Sequence, residues 1–69
     1  MTYTQKLKMA MIGTNINQIK LAELTHQSQE NLSQKMSKNN YKIQEYEKLV
    51  KALGCELKVT IVLPNGDTV

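Results

Sequence analysis

The sequence predicts a mainly α-helical domain of four helices, followed by a C-terminal β-hairpin. Apolar residues recur at helical spacing in four separate stretches within residues 3–54. Beyond Gly54 the spacing changes from helical to alternating, which is the pattern of a strand with one apolar face. Asn65-Gly66, directly after Pro64, is a hairpin-turn signal. We therefore expect a helical domain over residues 1–54 and a hairpin over residues 55–69.

The first and second helices are both short and amphipathic. Apolar residues from Leu7 onward recur at helical spacing and predict the first helix over residues 3–12. Asn17 is placed to cap a second helix over residues 18–25, in which Leu21-Ala22 forms the buried pair.

The third helix carries few apolar residues. Ser28 offers its N-cap, and the helix continues to about Ser37 with Leu32 and Met36 as a narrow apolar stripe. Its other faces are almost wholly polar. A fourth helix over residues 43–53 has a clear helical apolar spacing and ends at a glycine, a residue favoured directly after a helix.

The alternating C-terminal segment needs a partner. A two-stranded hairpin is barely stable in water when nothing covers its apolar face. The same hairpin from a second subunit would cover that face and pair the exposed edge. We therefore expect a homodimer through the C-terminal strand, with an interface formed by Leu57, Val59, Ile61 and Leu63.

The positive charge is concentrated in the N-terminal part of the chain. The net charge is +3, but residues 1–42 contain six lysines and only two glutamates. A polyanion such as a nucleic acid fits this distribution, although an ordinary solvated surface would look similar. Arginine is absent, which leaves lysine, glutamine, asparagine and serine as the side chains for base contacts.

Several functional classes are disfavoured by the composition. One cysteine and one histidine form neither an intrachain disulfide nor a zinc site with ordinary ligand counts, so we expect no metal and no cofactor. No serine or cysteine nucleophile is arranged around His26, and Asp67 is the only aspartate, so we expect no enzymatic activity. Neither a secretory signal nor a stretch of membrane-spanning length is evident, so we expect a cytoplasmic protein without membrane contact.

The central part of the chain has a characteristic spacing. The features that carry it are Gln18 opening the second helix, Leu21-Ala22 at the contact between helices, Ser28 starting the third helix and Leu32 ten residues after Ala22. This spacing within residues 16–36 resembles the helix-turn-helix of the Cro and phage-repressor family, often called the XRE family. A small alanine suits the contact, because two helices that cross steeply through a short turn approach closely. The order of helices over residues 7–53 also follows that family.

Two positions depart from the family pattern. His26 lies in the turn where the family usually has glycine, and this position commonly requires a positive φ, which histidine adopts at some cost. Lys35 occupies a position that is often apolar, and the adjacent Met36 takes the core role. We therefore expect the third helix to be slightly rotated relative to the family average.

The resemblance implies that the helix starting at Ser28 enters the major groove of DNA, with its N-terminal residues toward the base edges. The positions that match base-reading residues are Gln29, Glu30 and Gln34, with Asn31, Ser33 and Lys35 as supplementary contacts. The positions that match or adjoin phosphate contacts are Asn17, Gln18, Ser28, Lys38, Asn39, Asn40 and Lys42.

The resemblance thus implies a phage-repressor-like regulator that binds double-stranded DNA sequence-specifically as a homodimer and represses transcription. The alternative is an antitoxin, which would hold a toxin protein with the C-terminal strand and repress its own operon secondarily. A small-molecule enzyme is disfavoured, because a chain of 69 residues offers neither a sizeable pocket nor a catalytic constellation.

Overall fold

The structure, a computed structural model, describes residues 1–69 and contains four helices. They are α1 (Tyr3–Thr14), α2 (Gln18–Leu24), α3 (Gln29–Lys38) and α4 (Ile43–Ala52). The predicted mainly α-helical class with four helices is therefore confirmed, and the predicted helix limits differ from these by one or two residues. None of the four helices combines the length and the apolar character that crossing a bilayer requires.

Three of the four helices begin at a side chain that caps them. The cap residues Thr2, Asn17 and Ser28 each accept a hydrogen bond from the backbone N–H three residues further along, at 3.1, 2.8 and 3.1 Å respectively. These bonds satisfy N–H groups that have no partner inside the helix. The caps predicted at Asn17 and Ser28 are confirmed, whereas α4 begins after Lys42 without a side-chain cap.

All four helices end in the same way, with one residue in the left-handed region. These residues are Asn15, His26, Asn39 and Gly54, with φ values of 57, 55, 51 and 75°. At the end of α2, the N–H of Gln27 bonds to the carbonyl of Ala22 at 3.0 Å, and the N–H of His26 bonds to that of Glu23 at 3.1 Å. This pair of bonds is a Schellman motif, and equivalent pairs close the other three helices. The positive φ predicted at His26 is confirmed.

The core is a single cluster to which each helix contributes. Its nine buried apolar members are Leu7, Leu21, Ala22, Leu32, Met36, Tyr46, Leu49, Val50 and Leu53. Within α3, only Leu32 and Met36 are buried, as the sequence predicts. One apolar stripe therefore attaches α3 to the domain.

Three tyrosines pack together where α1 meets α4. The ring centroid of Tyr46 lies 5.3 Å from that of Tyr3 and 5.1 Å from that of Tyr41. Burial raises the pKa of Tyr41 and of Tyr46, and for Tyr46 the charges of the neighbouring phenolates would raise the pKa further. Both hydroxyls therefore favour the neutral form in the folded protein.

The C-terminal β-hairpin predicted over residues 55–69 is not seen. The Asn65-Gly66 turn forms, with a reciprocal pair of 2.9 Å bonds between Ile61 and Val69, but only a single β-bridge joins Val62 to Thr68. No backbone N–H over residues 56–60 bonds to a backbone carbonyl. The alternating pattern favours a strand, but a strand needs a neighbour that takes up its hydrogen bonds, and residues 56–60 have none within the chain.

Replacement of His26 by glycine should raise the free energy of unfolding by about 0.5–1 kcal/mol. Glycine adopts a positive φ without strain, and this gain exceeds the extra freedom of glycine in the unfolded chain. Urea denaturation measures the difference. His26→Val should lower the stability, because a β-branched side chain fits the left-handed region poorly. A glycine variant no more stable than the parent would show that the turn is unstrained.

The stability should fall as the pH rises above 10.0, the ordinary pKa of tyrosine. Because the pKa of Tyr41 and of Tyr46 is raised in the folded state, the unfolded chain loses these protons first and is favoured between the ordinary and the raised values. Below pH 10.0 this contribution to stability is fully present. Urea denaturation across this range should show a shallower alkaline loss in Tyr41→Phe than in the parent. Equal losses would contradict the assignment to Tyr41.

Candidate nucleic-acid interface

The outward side of α3 is polar along its whole length. Leu32 and Met36 point into the core, whereas Ser33 and Gln34 between them are exposed. A shallow depression on this side has no apolar lining and is formed by Glu30, Ser33, Gln34, Ser37 and Lys38. Gln29, the first residue of α3, is also exposed. The structure therefore brings predicted base-reading residues together on one accessible face.

A second polar depression lies between the C-terminal half of α3 and the start of α4. It is lined by Asn31, Gln34, Lys35, Lys38, Asn40, Lys42 and Glu45. Gln34 and Lys38 line both depressions, so the two form one continuous surface. We call the exposed residues of the two depressions, together with Gln29, the α3–α4 polar surface. It consists of Gln29, Glu30, Asn31, Ser33, Gln34, Ser37, Lys38, Asn40 and Lys42.

Lys35 has a different environment from the other predicted base-reading residues. Its Nζ lies 3.2 Å from Oε2 of Glu45 and donates a 3.4 Å hydrogen bond to Oε1 of Gln27. The Gln27 amide group in turn donates to the Thr25 hydroxyl at 2.8 Å. The ammonium group therefore links α3 to α4 and to the preceding turn, and we assign it to holding α3 in place.

Three predicted phosphate-contacting side chains already make internal hydrogen bonds. The side-chain oxygens of Asn17 and Ser28 accept the cap bonds of α2 and α3, and Oδ1 of Asn39 accepts the backbone N–H of Thr4 at 2.9 Å. Each side chain still carries protons that it can donate to a phosphate, namely an amide NH₂ or a hydroxyl. Asn17 lines a separate depression with Lys8, so the structure does not place it on the α3–α4 polar surface. Gln18, the first residue of α2, is half-buried.

The lysines of the α3–α4 polar surface are free of ion pairs. Lys38 and Lys42 have no acidic side chain within salt-bridge distance, whereas Lys35 pairs with Glu45. Lys42 also precedes the uncapped start of α4, where backbone N–H groups point outward and add partial positive charge. This end of the surface is therefore suited to an anion.

Sequence reasoning missed Ser37, Gln27 and Glu45. Ser37 follows Ser33 by four residues, so helical periodicity could have placed it on the same face. Gln27 and Glu45 act by contacting Lys35 from the turn and from another helix, and neither contact has a local sequence signal.

The chain matches no protein-family model, and comparison with curated proteins and with solved structures gives no significant match.

Proposed function

We propose that the protein is a homodimeric transcriptional repressor that binds double-stranded DNA sequence-specifically by inserting α3 into the major groove. The observation that carries this proposal is the polar, accessible side of α3, which lies opposite the buried side chains of Leu32 and Met36. The major groove of B-DNA admits an α-helix and presents a distinct pattern of donors and acceptors for each base pair.

The side chains near the start of α3 suit base recognition. Gln29 and Gln34 carry both a donor and an acceptor and can bond to adenine with two hydrogen bonds, while Glu30 can accept from the amino group of cytosine. Asn31 and Ser33 flank them and supplement these contacts. Ser28, as the cap of α3, keeps a hydroxyl proton for a phosphate beside the groove.

The opposite end of the surface suits the DNA backbone. Lys38 and Lys42 are unpaired cations, Asn40 lies between them, and all three line the same depression. Phosphate contacts of this kind set the orientation of the protein on the duplex and make binding dependent on salt. Asn17 and Gln18, at the start of α2, would contact the backbone on the other side of the groove.

The arrangement of α2 and α3 supports this docking mode. Two short helices are joined by a tight turn over residues 25–28, which the Schellman motif and the Ser28 cap close from both sides. Ala22 and Leu32 belong to the same buried cluster, and α2 packs against α3. A short turn between two packed helices is a feature that a helix-turn-helix needs to project its second helix.

The segment after α4 supports dimerisation. Val59 and Ile61 are 63% and 61% exposed, and Leu63 is also exposed, whereas Leu57 packs partly against the core of its own chain. The unpaired N–H groups over residues 56–60 leave an open edge beside these side chains. The same segment of a second copy, running antiparallel, would pair that edge and cover the apolar residues. Binding to two half-sites requires that the two α3 helices of this dimer lie about 34 Å apart, one turn of DNA.

Selection of bound sequences from random DNA tests the proposal, and the expected result is a site with two symmetric halves. Gln34→Ala should then weaken binding to that site about tenfold and leave binding to unrelated DNA unchanged, because only base contacts distinguish sequences. Lys38→Gln should weaken binding to the selected site and to unrelated DNA alike. It should also reduce by about one the slope of the logarithm of the binding constant against the logarithm of the salt concentration.

Gln44→Ala and Lys51→Gln are the matched controls, because both residues are exposed on α4 outside the α3–α4 polar surface. Both variants should bind as the parent does. Failure of the parent chain to bind any DNA at low salt would overturn the proposed function.

Ile61→Lys should convert the dimer into a monomer in sedimentation experiments and weaken DNA binding with it. The introduced charge would lie in the apolar interface without a partner. Val62→Lys is the control, because Val62 is 67% exposed but points to the other side of an extended segment. A parent chain that stays monomeric at the concentrations where it binds DNA would contradict the homodimer. It would leave the segment free for a different protein, as the antitoxin alternative requires.

A further inference from the structure

A cluster of hydrogen bonds ties the start of α1 to the C-terminal end of α3. Thr4, the one buried residue that is polar, is 9% exposed and lies at the centre of this cluster. Its hydroxyl donates to the carbonyl of Met36 at 2.8 Å, and its backbone N–H donates to Oδ1 of Asn39 at 2.9 Å. The hydroxyl of Tyr41 lies 2.6 Å from Oγ1 of Thr4.

The direction of these bonds follows from the number of protons. The Thr4 hydroxyl has one proton and gives it to the carbonyl of Met36, so the Tyr41 hydroxyl must be the donor in the 2.6 Å contact. A directed chain results, from Tyr41 through Thr4 to Met36, in which each bond strengthens the next. The Met36 carbonyl also accepts the N–H of Asn39 at 3.3 Å, as part of the motif that ends α3.

The cluster is braced by α4 and by α1. The ring of Tyr41 packs edge-on against Tyr46, and the Tyr46 hydroxyl donates to the backbone carbonyl of Tyr3 at 2.8 Å. Thr2 and Gln5 form a reciprocal capping box that fixes the first turn of α1 around Thr4. Thr4 and Tyr41 are therefore held on both sides before any ligand arrives.

The segment between the end of α3 and the start of α4 contains both residues of this cluster and residues of the α3–α4 polar surface. Asn39 and Tyr41 bond inward to Thr4, while Lys38, Asn40 and Lys42 are exposed and line the α3–α4 polar surface. Over residues 38–42, side chains that bond to Thr4 thus alternate with side chains that have no hydrogen-bond partner within the protein.

We propose that Thr4 and Tyr41 are positioning residues that set the strength of DNA binding without contacting DNA, by holding Asn39 and the residues beside it in place. The proposal rests on the proposed function, because it concerns the same surface. Holding residues 38–42 in place before binding reduces the entropy that is lost when this segment becomes ordered on the duplex. Loosening the cluster should therefore weaken binding to all sequences, since phosphate contacts carry no sequence information.

Tyr41→Phe is the sharpest test, because it removes the hydroxyl that donates to Thr4 and retains the ring. Its affinity for DNA at fixed salt should fall about five- to tenfold, for the selected site and for unrelated DNA alike. Amide hydrogen exchange over residues 38–42 should accelerate, while exchange at the start of α3 should stay as in the parent. Circular dichroism and urea denaturation would establish that the variant is folded under the binding conditions.

Tyr3→Phe is the matched control. Its ring packs on Tyr46, but its hydroxyl makes no hydrogen bond in the structure, so neither affinity nor exchange should change. A second pair of variants tests the centre of the cluster. Thr4→Val removes the hydroxyl at nearly constant volume and should behave like Tyr41→Phe, whereas Thr4→Ser keeps the hydroxyl and should bind DNA as the parent does.

The outcomes separate this proposal from the proposed function. A folded Tyr41→Phe variant with the affinity of the parent would overturn the positioning role alone, even if exchange over residues 38–42 accelerates. A loss of affinity without faster exchange in that loop would also overturn it, because the loop would not have been loosened. Absence of DNA binding by the parent chain would overturn the proposed function, and the positioning role with it.

Discussion

The burial of Leu32 and Met36 is the contact on which both the fold and the surface depend. They are the only buried residues of α3, and they belong to a core of nine apolar side chains. Removing a large core side chain costs about 2–5 kcal/mol, and a small domain has only about 5–15 kcal/mol of stability in total. The same two contacts also determine which side of α3 faces outward. Stability and orientation of the α3–α4 polar surface therefore have one origin.

Short helices make their ends unusually important here. The four helices have 12, 7, 10 and 10 residues, and isolated helices of such length are marginal in water. Each helix ends in a Schellman motif, but among the four left-handed residues at these helix ends only Gly54 is a glycine. Asn39 has two roles, since its backbone ends α3 and its side chain holds Thr4. Helix termination and placement of the loop after α3 are thus coupled through one residue.

Polar residues that could bind DNA also serve the fold, which limits prediction of the site. Asn17, Ser28 and Asn39 make internal hydrogen bonds, and Lys35 pairs with Glu45, although asparagine, serine and lysine are all common at DNA interfaces. A hydrogen-bonding group has the same chemistry whether its partner is a phosphate or a helix end. The sequence predicts that these residues lie at or next to α2 and α3. Only their partners in the folded chain show which of them hold the fold together and which are free on the surface.

Local patterns were sufficient for the four helices, the caps at Asn17 and Ser28, and the two core anchors of α3. Apolar spacing and helix capping involve residues three or four positions apart, so they can be predicted from the sequence alone. The link from Lys35 to Glu45 and the cluster around Thr4 required the folded chain, because their partners lie 10 and up to 37 residues apart and meet through packing. The alternation after Gly54 likewise favours a strand, yet hydrogen bonds across a strand come from a neighbour, and within this chain residues 56–60 have none.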